Sequence, residues 1–280
     1  MQSSSSESGL CGVLVDKGTF TGIAVALAGI GIGLVVEGSK LAMVLQPTAA
    51  LIVFGGTLGA VMVQFPLPVV LQAFRNLKDV FWGSEPEPDE LVKNLMRYAY
   101  KARKEGLLSL DVELSKIKDP FLKESLMLAI DGTSAEDLRR MMELQLEYRG
   151  EKAERIPKVF EAAAGYAPTI GILGAVLGLI QVMQHLQDIN EVGRGIATAF
   201  VATIYGVGSA NLLFLPWAGK IKIRMRERQV IREMVLEAVL SIIDGVNPRA
   251  LEMQLGSYLP APIRAGGKPT AAPAAVAKSR

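Results

Sequence analysis

The chain predicts an all-α membrane protein. Four transmembrane helices are expected, with a helical cytoplasmic domain between helices 2 and 3 and a cytoplasmic extension of helix 4. Three observations carry this reading. Mean hydropathy is +0.32 over 280 residues, with half of them hydrophobic and 21% charged, too apolar for an ordinary soluble chain. The apolar residues gather in four stretches that contain no Asp, Glu, Lys or Arg. The basic residues are segregated between them.

The stretches run Thr19 to Val36, Thr48 to Phe65, Ala167 to Leu186 and Ile196 to Trp217. Each has the length a bilayer core requires, about 17–25 helical residues. Four such segments leave too little polar surface to bury them in a soluble fold. The residues before the first are Ser-rich rather than basic, so it does not read as a cleaved signal, and Cys11 reads as a free thiol. Sixteen Lys and Arg lie between Arg75 and Lys158 and 11 from Lys220 onward, whereas the connectors Glu37–Pro47 and Gln187–Gly195 hold one each. The positive-inside rule then puts the middle segment, the tail and the N-terminus in the cytoplasm. The expected organisation is a cytoplasmic N-terminus over 1–18, helices 1 and 2 over 19–74 and a cytoplasmic helical domain over 75–165. Helices 3 and 4 follow over 166–217, then a helical extension over 218–258 and a disordered tail over 259–280.

Within the middle segment, Leu91, Leu95, Tyr98 and Ala102 recur at helical spacing, and Asp89-Glu90 after Pro88 suits a helix start. Thr133 to Glu136 reads as a capping box opening a second helix through Met141 and Leu146. After the fourth stretch, Ile231, Met234, Val235, Ala238 and Ile242 mark one helical face, with only Pro216 to interrupt the run from the membrane. The tail is rich in Pro and Ala and contains no acid.

One Cys and one His exclude a disulfide framework and a Cys/His zinc site, and a net charge of +2 gives no reason to expect nucleic acid. No enzymatic chemistry and no cofactor are expected. The spans lack a mid-membrane ionisable group, the default marker of an ion site. A chain of this kind that moves ions must borrow a carboxylate from another protein. What the spans offer is mild polarity, Thr203 and Tyr205 among it, and small residues for close packing: Gly29, Gly31 and Gly33, the Gly55-xxx-Gly59 and Gly174-xxx-Gly178 pairs, then Gly206 and Gly208. A span threonine is equally able to bond back to its own helix. Pro168, at the expected start of span three, suits a first helical turn, while Pro216 should bend the end of span four.

Ala167-Pro168-Thr169-Ile170-Gly171-Ile172-Leu173-Gly174-Ala175-Val176-Leu177-Gly178, Ala202-Thr203-Ile204-Tyr205-Gly206, Phe54-Gly55-Gly56-Thr57 and Asp244-Gly245-Val246-Asn247-Pro248-Arg249 resemble the MotA/PomA flagellar stator family across residues 15–258. The resemblance implies a homopentamer around two copies of a single-span MotB-type partner. That partner supplies the membrane Asp, and the assembly drives the rotor protein FliG from the bacterial inner membrane. It further implies rotor contact through Arg103 and Asp111, with Lys104 and Glu113 as auxiliaries, and conformational coupling through Pro168 and Pro216. An ion path beside Ala175, Ala202, Thr203 and Tyr205 follows from the same match. Sodium-driven relatives carry Thr at the positions of Ala175 and Ala202, so the transported ion is expected to be H+, with Na+ as the alternative. Two other readings remain: an energy-transducing subunit like ExbB or TolQ, and a non-conducting membrane scaffold.

Overall fold

The computed structural model describes residues 17–36, 38, 44–82 and 88–258, and every regular element among them is helical, with no strand. The segment up to residue 16, Cys11 included, most of the connector Glu37–Pro47 and the tail 259–280 lie outside the described residues. Helix α1 spans Lys17–Val36, α2 Pro47–Gln64 and α3 Leu67–Trp82. Pro47 opens α2, where a first-turn nitrogen needs no acceptor. Pro66 ends it by forcing Phe65 into extended backbone, φ −118° and ψ 143°. α3 therefore runs through the expected boundary at residue 74.

The extramembrane body begins with α4, Pro88–Glu105, with acids in its first turn and Arg103 and Lys104 in its last, complementing the helix dipole. Leu95 and Tyr98 are buried, and Leu91 and Ala102 pack against the same core, as the spacing requires. Gly106, at φ +84°, turns the chain into a 3-10 turn, Leu107–Leu110, which runs into α5, Asp111–Leu114. α6, Pro120–Ile130, is capped by the Asp119 carboxylate, which accepts from Leu122 N at 2.8 Å. The middle domain thus has more helices than the two expected.

α7, Ala135–Gln184, is a single helix of 50 residues. This corrects the expected first-turn placement of Pro168 and leaves the expected division of the chain without a break in helix to mark it. The division at 165/166 falls inside it, and Pro168 sits in its interior rather than in a first turn, as does Pro157. Despite the two prolines, no break separates the extramembrane and membrane parts of α7. Its cap is also one residue later than expected: Ser134 Oγ accepts from Asp137 N at 3.1 Å and donates to the Asp137 carboxylate at 2.7 Å.

α8, Ile189–Ser209, starts seven residues before the apolar stretch because Asp188 caps it, accepting from Asn190 N at 2.9 Å. A π turn over Ala210–Phe214 joins it to α9, Leu215–Ile243, so span four and its extension form one 55-residue helical run. α10, Pro248–Gly256, follows, capped by Asn247.

Two main cores hold these elements. In the extramembrane body Leu95, Phe121, Leu138, Met142, Met234 and Leu251 pack together, so α9 is enclosed by α4, α6, α7 and α10. At the ends of the spans nearest the extramembrane body, Val61, Val70, Phe160 and Ile221 form a second core, with Phe160 edge-on to Phe74 and Trp217, each at 5.9 Å. The membrane helices are otherwise apolar on the outside: none of the apolar window of α1 is buried and Val63 of α2 is 91% exposed. Lipid or neighbouring helices must cover that surface, which excludes a buried helix of a soluble core.

Candidate ion path, hinge and charged face

α7 and α8 lie close because their facing residues are small. A Cβ on Gly171 would stand 2.8 Å from the Ala202 carbonyl oxygen, one on Gly178 2.9 Å from that of Gly195, and one on Gly206 2.5 Å from that of Ala167. Close approach of this kind is how helices associate in lipid. Gly174-xxx-Gly178 therefore packs as expected. Gly55, Gly59, Gly29, Gly31, Gly33 and Gly208 meet nothing within 4 Å inside the chain.

The expected ion-path residues fall into different environments. Ala175 and Thr203 are half-buried. Thr203 Oγ1 donates to the Ala199 carbonyl, one turn back in its own helix, at 3.4 Å, a long bond that leaves the hydroxyl easily redirected. Ala202 is fully buried, against Ala49, Val53 and Val201, so it packs α8 onto α2 rather than lining a path within this chain. Tyr205 is engaged too. Its hydroxyl donates to the Val44 carbonyl at 2.6 Å and accepts from Gln46 N at 3.3 Å, with its ring 6.2 Å from that of Phe54. A phenol so held anchors the entry to α2. Sequence reasoning missed Thr57, whose hydroxyl is buried with no partner among the described residues. Its signal was present in Phe54-Gly55-Gly56-Thr57, a polar group in a span.

The two prolines belong to one assembly. The π turn before Pro216 packs on the α7 turn before Pro168, where Ala164, Ala167, Ala210 and Phe214 meet. In that turn Leu215 N donates to Ala210 O, five residues back. The widened register arrives just where Pro216 removes a donor, so the helix continues without a sharp break.

Arg103, Lys104 and Asp111 are exposed on either side of Gly106, with the exposed apolar residues Leu108 and Val112 between and beside them. Glu113 differs. It is bound by Lys101 at 2.9 Å and Lys116 at 3.3 Å, and these hydrogen bonds, Lys101 first, hold its carboxyl below the usual carboxylate range. It ties α5 to α4, so it supports the charged face rather than presenting a free charge on it.

Four membrane-length helices, two prolonged far beyond the apolar layer, and spans that offer tight packing and isolated hydroxyls define a polytopic helical membrane protein. Comparisons with known proteins narrow the class. Residues 113–234 match the MotA/TolQ/ExbB proton channel family and residues 20–106 match Motility protein A N-terminal. Motility protein A of Bacillus subtilis (strain 168) is 35% identical over 248 residues, 88% of this chain and 92% of that protein. Chemotaxis protein PomA of Vibrio alginolyticus is 29% identical over 245 residues, 88% and 96% of the two chains. A solved structure of C. jejuni MotAB superposes with a TM-score of 0.84 at 32% identity, covering 88% of this chain and 97% of that one. The flagellar MotAB stator complex of Bacillus subtilis gives 0.81 at 35%, over 88% and 97%. The chain belongs to the MotA/TolQ/ExbB proton channel family, in its Motility protein A branch.

Proposed function

We propose that the chain is the multi-span subunit of a flagellar stator, which forms an ion channel with a single-span MotB-type partner and converts ion flow into torque on FliG. The observation that carries this reading is likeness along nearly the whole chain, 88% of it, to MotAB structures at 32% and 35% identity. The absence of any Asp, Glu, Lys or Arg from the four apolar stretches supports the partner's role, because a carboxylate for the ion must then come from outside the chain. The outward apolar faces of α1 and α2 favour several copies packed as a ring, five on the family's pattern. The charge distribution favours the inner membrane with both termini in the cytoplasm. The subunit performs no covalent chemistry and carries no cofactor. Proton drive is the ion assignment, and Arg103 and Asp111, with Lys104, form the rotor-facing charges. The test is co-reconstitution. Flux should need both this chain and a MotB-type partner with an intact membrane Asp. A chain that conducts alone, or never conducts with that partner, overturns the reading.

A further inference from the structure

α2 is tied to two different helices, one at each end. At its Pro47 end, Tyr205 of α8 donates to the Val44 carbonyl at 2.6 Å and accepts from Gln46 N at 3.3 Å. At its Gln64 end, the Tyr166 hydroxyl of α7 donates to Gln64 Oε1 at 3.0 Å. Between these ties the helix buries one face, Ala49, Val53, Thr57 and Val61, each four residues from the next. Thr57 is the polar member of that face. It is 3% exposed, and its hydroxyl has no partner among the described residues. A threonine or serine in a span ordinarily bonds back to a carbonyl three or four residues earlier in its own helix. The buried hydroxyls of α8 do so: Thr198 Oγ1 donates to the Arg194 carbonyl at 3.0 Å and Ser209 Oγ to that of Gly206 at 3.2 Å. Thr57 has the Val53 carbonyl in the same relation and leaves it untaken, its hydroxyl enclosed between helices instead. An enclosed hydroxyl without a partner lowers stability, and a valine of the same shape would not.

The register places Thr57 at the hinge. A Cβ on Gly174 would meet Ile52 Cγ2 at 3.4 Å, and one on Gly56 would meet Ile170 Cγ2 at 2.9 Å. α2 therefore runs antiparallel to α7, with Ile52 beside Gly174 and Gly56 beside Ile170, and Thr57 falls beside the Pro168 turn. α7 is antiparallel to α8 as well, since Gly171 faces Gly206 and Gly178 faces Gly195. α2 and α8 then run the same way. Val53 packs with Val201, Ala202 and Tyr205, so Thr57, one turn on, is level with Gly206 and Ser209 at the edge of the π turn. Thr57 thus sits at the junction of the two helical runs that carry Pro168 and Pro216. Backbone oxygens lie at the same level. Pro168 leaves the Ala164 carbonyl without its helical donor, and the Ala167 carbonyl stands against Gly206. A bend at either proline shifts α7 relative to α8. α2, tied to both, cannot follow one without sliding on the other, and Thr57 is the one hydrogen-bonding side chain on the face that slides.

We propose that Thr57 is a positioning residue of the hinge. Its hydroxyl is unpaired in the present arrangement and pairs with a backbone carbonyl of the α7–α8 junction in a second arrangement, which it thereby holds in place. The proposal rests on the stator reading, because an ion-driven cycle is what calls for two arrangements. The full-length chain is co-reconstituted with a MotB-type partner whose membrane Asp is intact. Flux and the Tm of the assembly are measured for the parent, Thr57→Val and Thr57→Ser. Valine keeps the shape and removes the hydroxyl. Its Tm should equal or exceed that of the parent, while flux falls about three- to tenfold, the weight of one hydrogen bond in an equilibrium. Serine restores the hydroxyl and should recover most of the flux. A lower Tm for the valine variant would mean a hydroxyl already paired in this arrangement, and overturns the proposal. Unchanged flux in that variant overturns it too, leaving the hydroxyl a cost of burial with no return. So does a serine variant as impaired as the valine one. A parent chain that does not conduct with the partner removes the stator reading and the proposal with it, whereas a conducting parent with a normal valine variant removes the proposal alone.

Discussion

A single methyl group separates two outcomes at the α7–α8 contact. On Gly206 it would collide with the Ala167 carbonyl, whereas on Gly208 it would meet nothing within 4 Å of the same chain. Backbone cannot step aside as a side-chain end can, so Gly206→Ala is expected to cost about 1–3 kcal/mol and Gly208→Ala little. Thermal stability and membrane abundance of the two variants read the difference. Glu113 yields a prediction in pH. Its folded pKa is depressed by Lys101 and then Lys116. The tie is therefore complete above the unfolded glutamate value, about 4.3, and is lost as pH falls through the lower folded value. Amide exchange over residues 107–116 should quicken on acidification through that window, and Glu113→Gln should be loosened at every pH, with no such dependence. Arg103 and Asp111 are exposed, where substitutions usually cost under about 0.5 kcal/mol. Reversing both charges should abolish or strongly impair swimming at normal membrane levels. A double reversal that swims normally would remove them from the rotor contact.

At the scale of elements, what the sequence made legible depended on whether the controlling force was local. The amphipathic α4, with Leu95 and Tyr98 inward, and the α9 face bearing Met234, Val235 and Ala238 follow from spacing alone, because burial against one core imposes the helical period. α6 was hidden because Asp119-Pro120 resembles a turn as readily as a cap followed by a first-turn proline. The unbroken course of α7 was hidden for a related reason. A proline normally argues for a boundary, yet Pro157, which is buried, and Pro168, which is half-buried, are both carried inside the helix. Pro216 signals a perturbation at the π turn but not its form, which records how α8 and α9 accommodate the proline while staying seated on Ala164 and Ala167. Replacing Pro216 with Ala restores a helical donor and removes the reason for the wide register. We expect Pro216→Ala to assemble at normal levels while swimming speed falls markedly. Loss of the protein from the membrane would make the residue a folding element rather than a coupling one.

For the whole molecule, four spans were readable because bilayer thickness is a global constraint that one sequence expresses in full, and charge segregation supplies the orientation expected of them. The expected ion path depends on more than polarity. Polarity identifies which spans hold hydroxyls, but not which way they face, and packing withdraws Ala202 into the core and fixes Tyr205 on Val44 and Gln46. That outcome bears on the ion. Sodium must exchange its water for a set of oxygen ligands, and hydroxyls and carbonyls are what a span can offer. In this chain Ala175 presents a methyl group, Ala202 presents a methyl group already buried, and Tyr205 is occupied by backbone partners. Thr203 alone of the four keeps a weakly held hydroxyl, 3.4 Å from its acceptor. Even with the buried Thr57 hydroxyl of α2, two hydroxyls are too few to replace a hydration shell, whereas a proton needs only a partner's carboxylate and water reaching it. Swimming speed, or flux through the reconstituted complex, should therefore stay constant when sodium is replaced by potassium at fixed pH, and should fall when the proton gradient is collapsed. The variant carrying both Ala175→Thr and Ala202→Thr extends the argument. Hydroxyls at these two positions should not by themselves confer sodium dependence, because the second would enter a full core beside Gly174 and is expected to lower membrane levels first. A steep rise of speed with sodium in the parent chain, lost in potassium, would reverse the assignment.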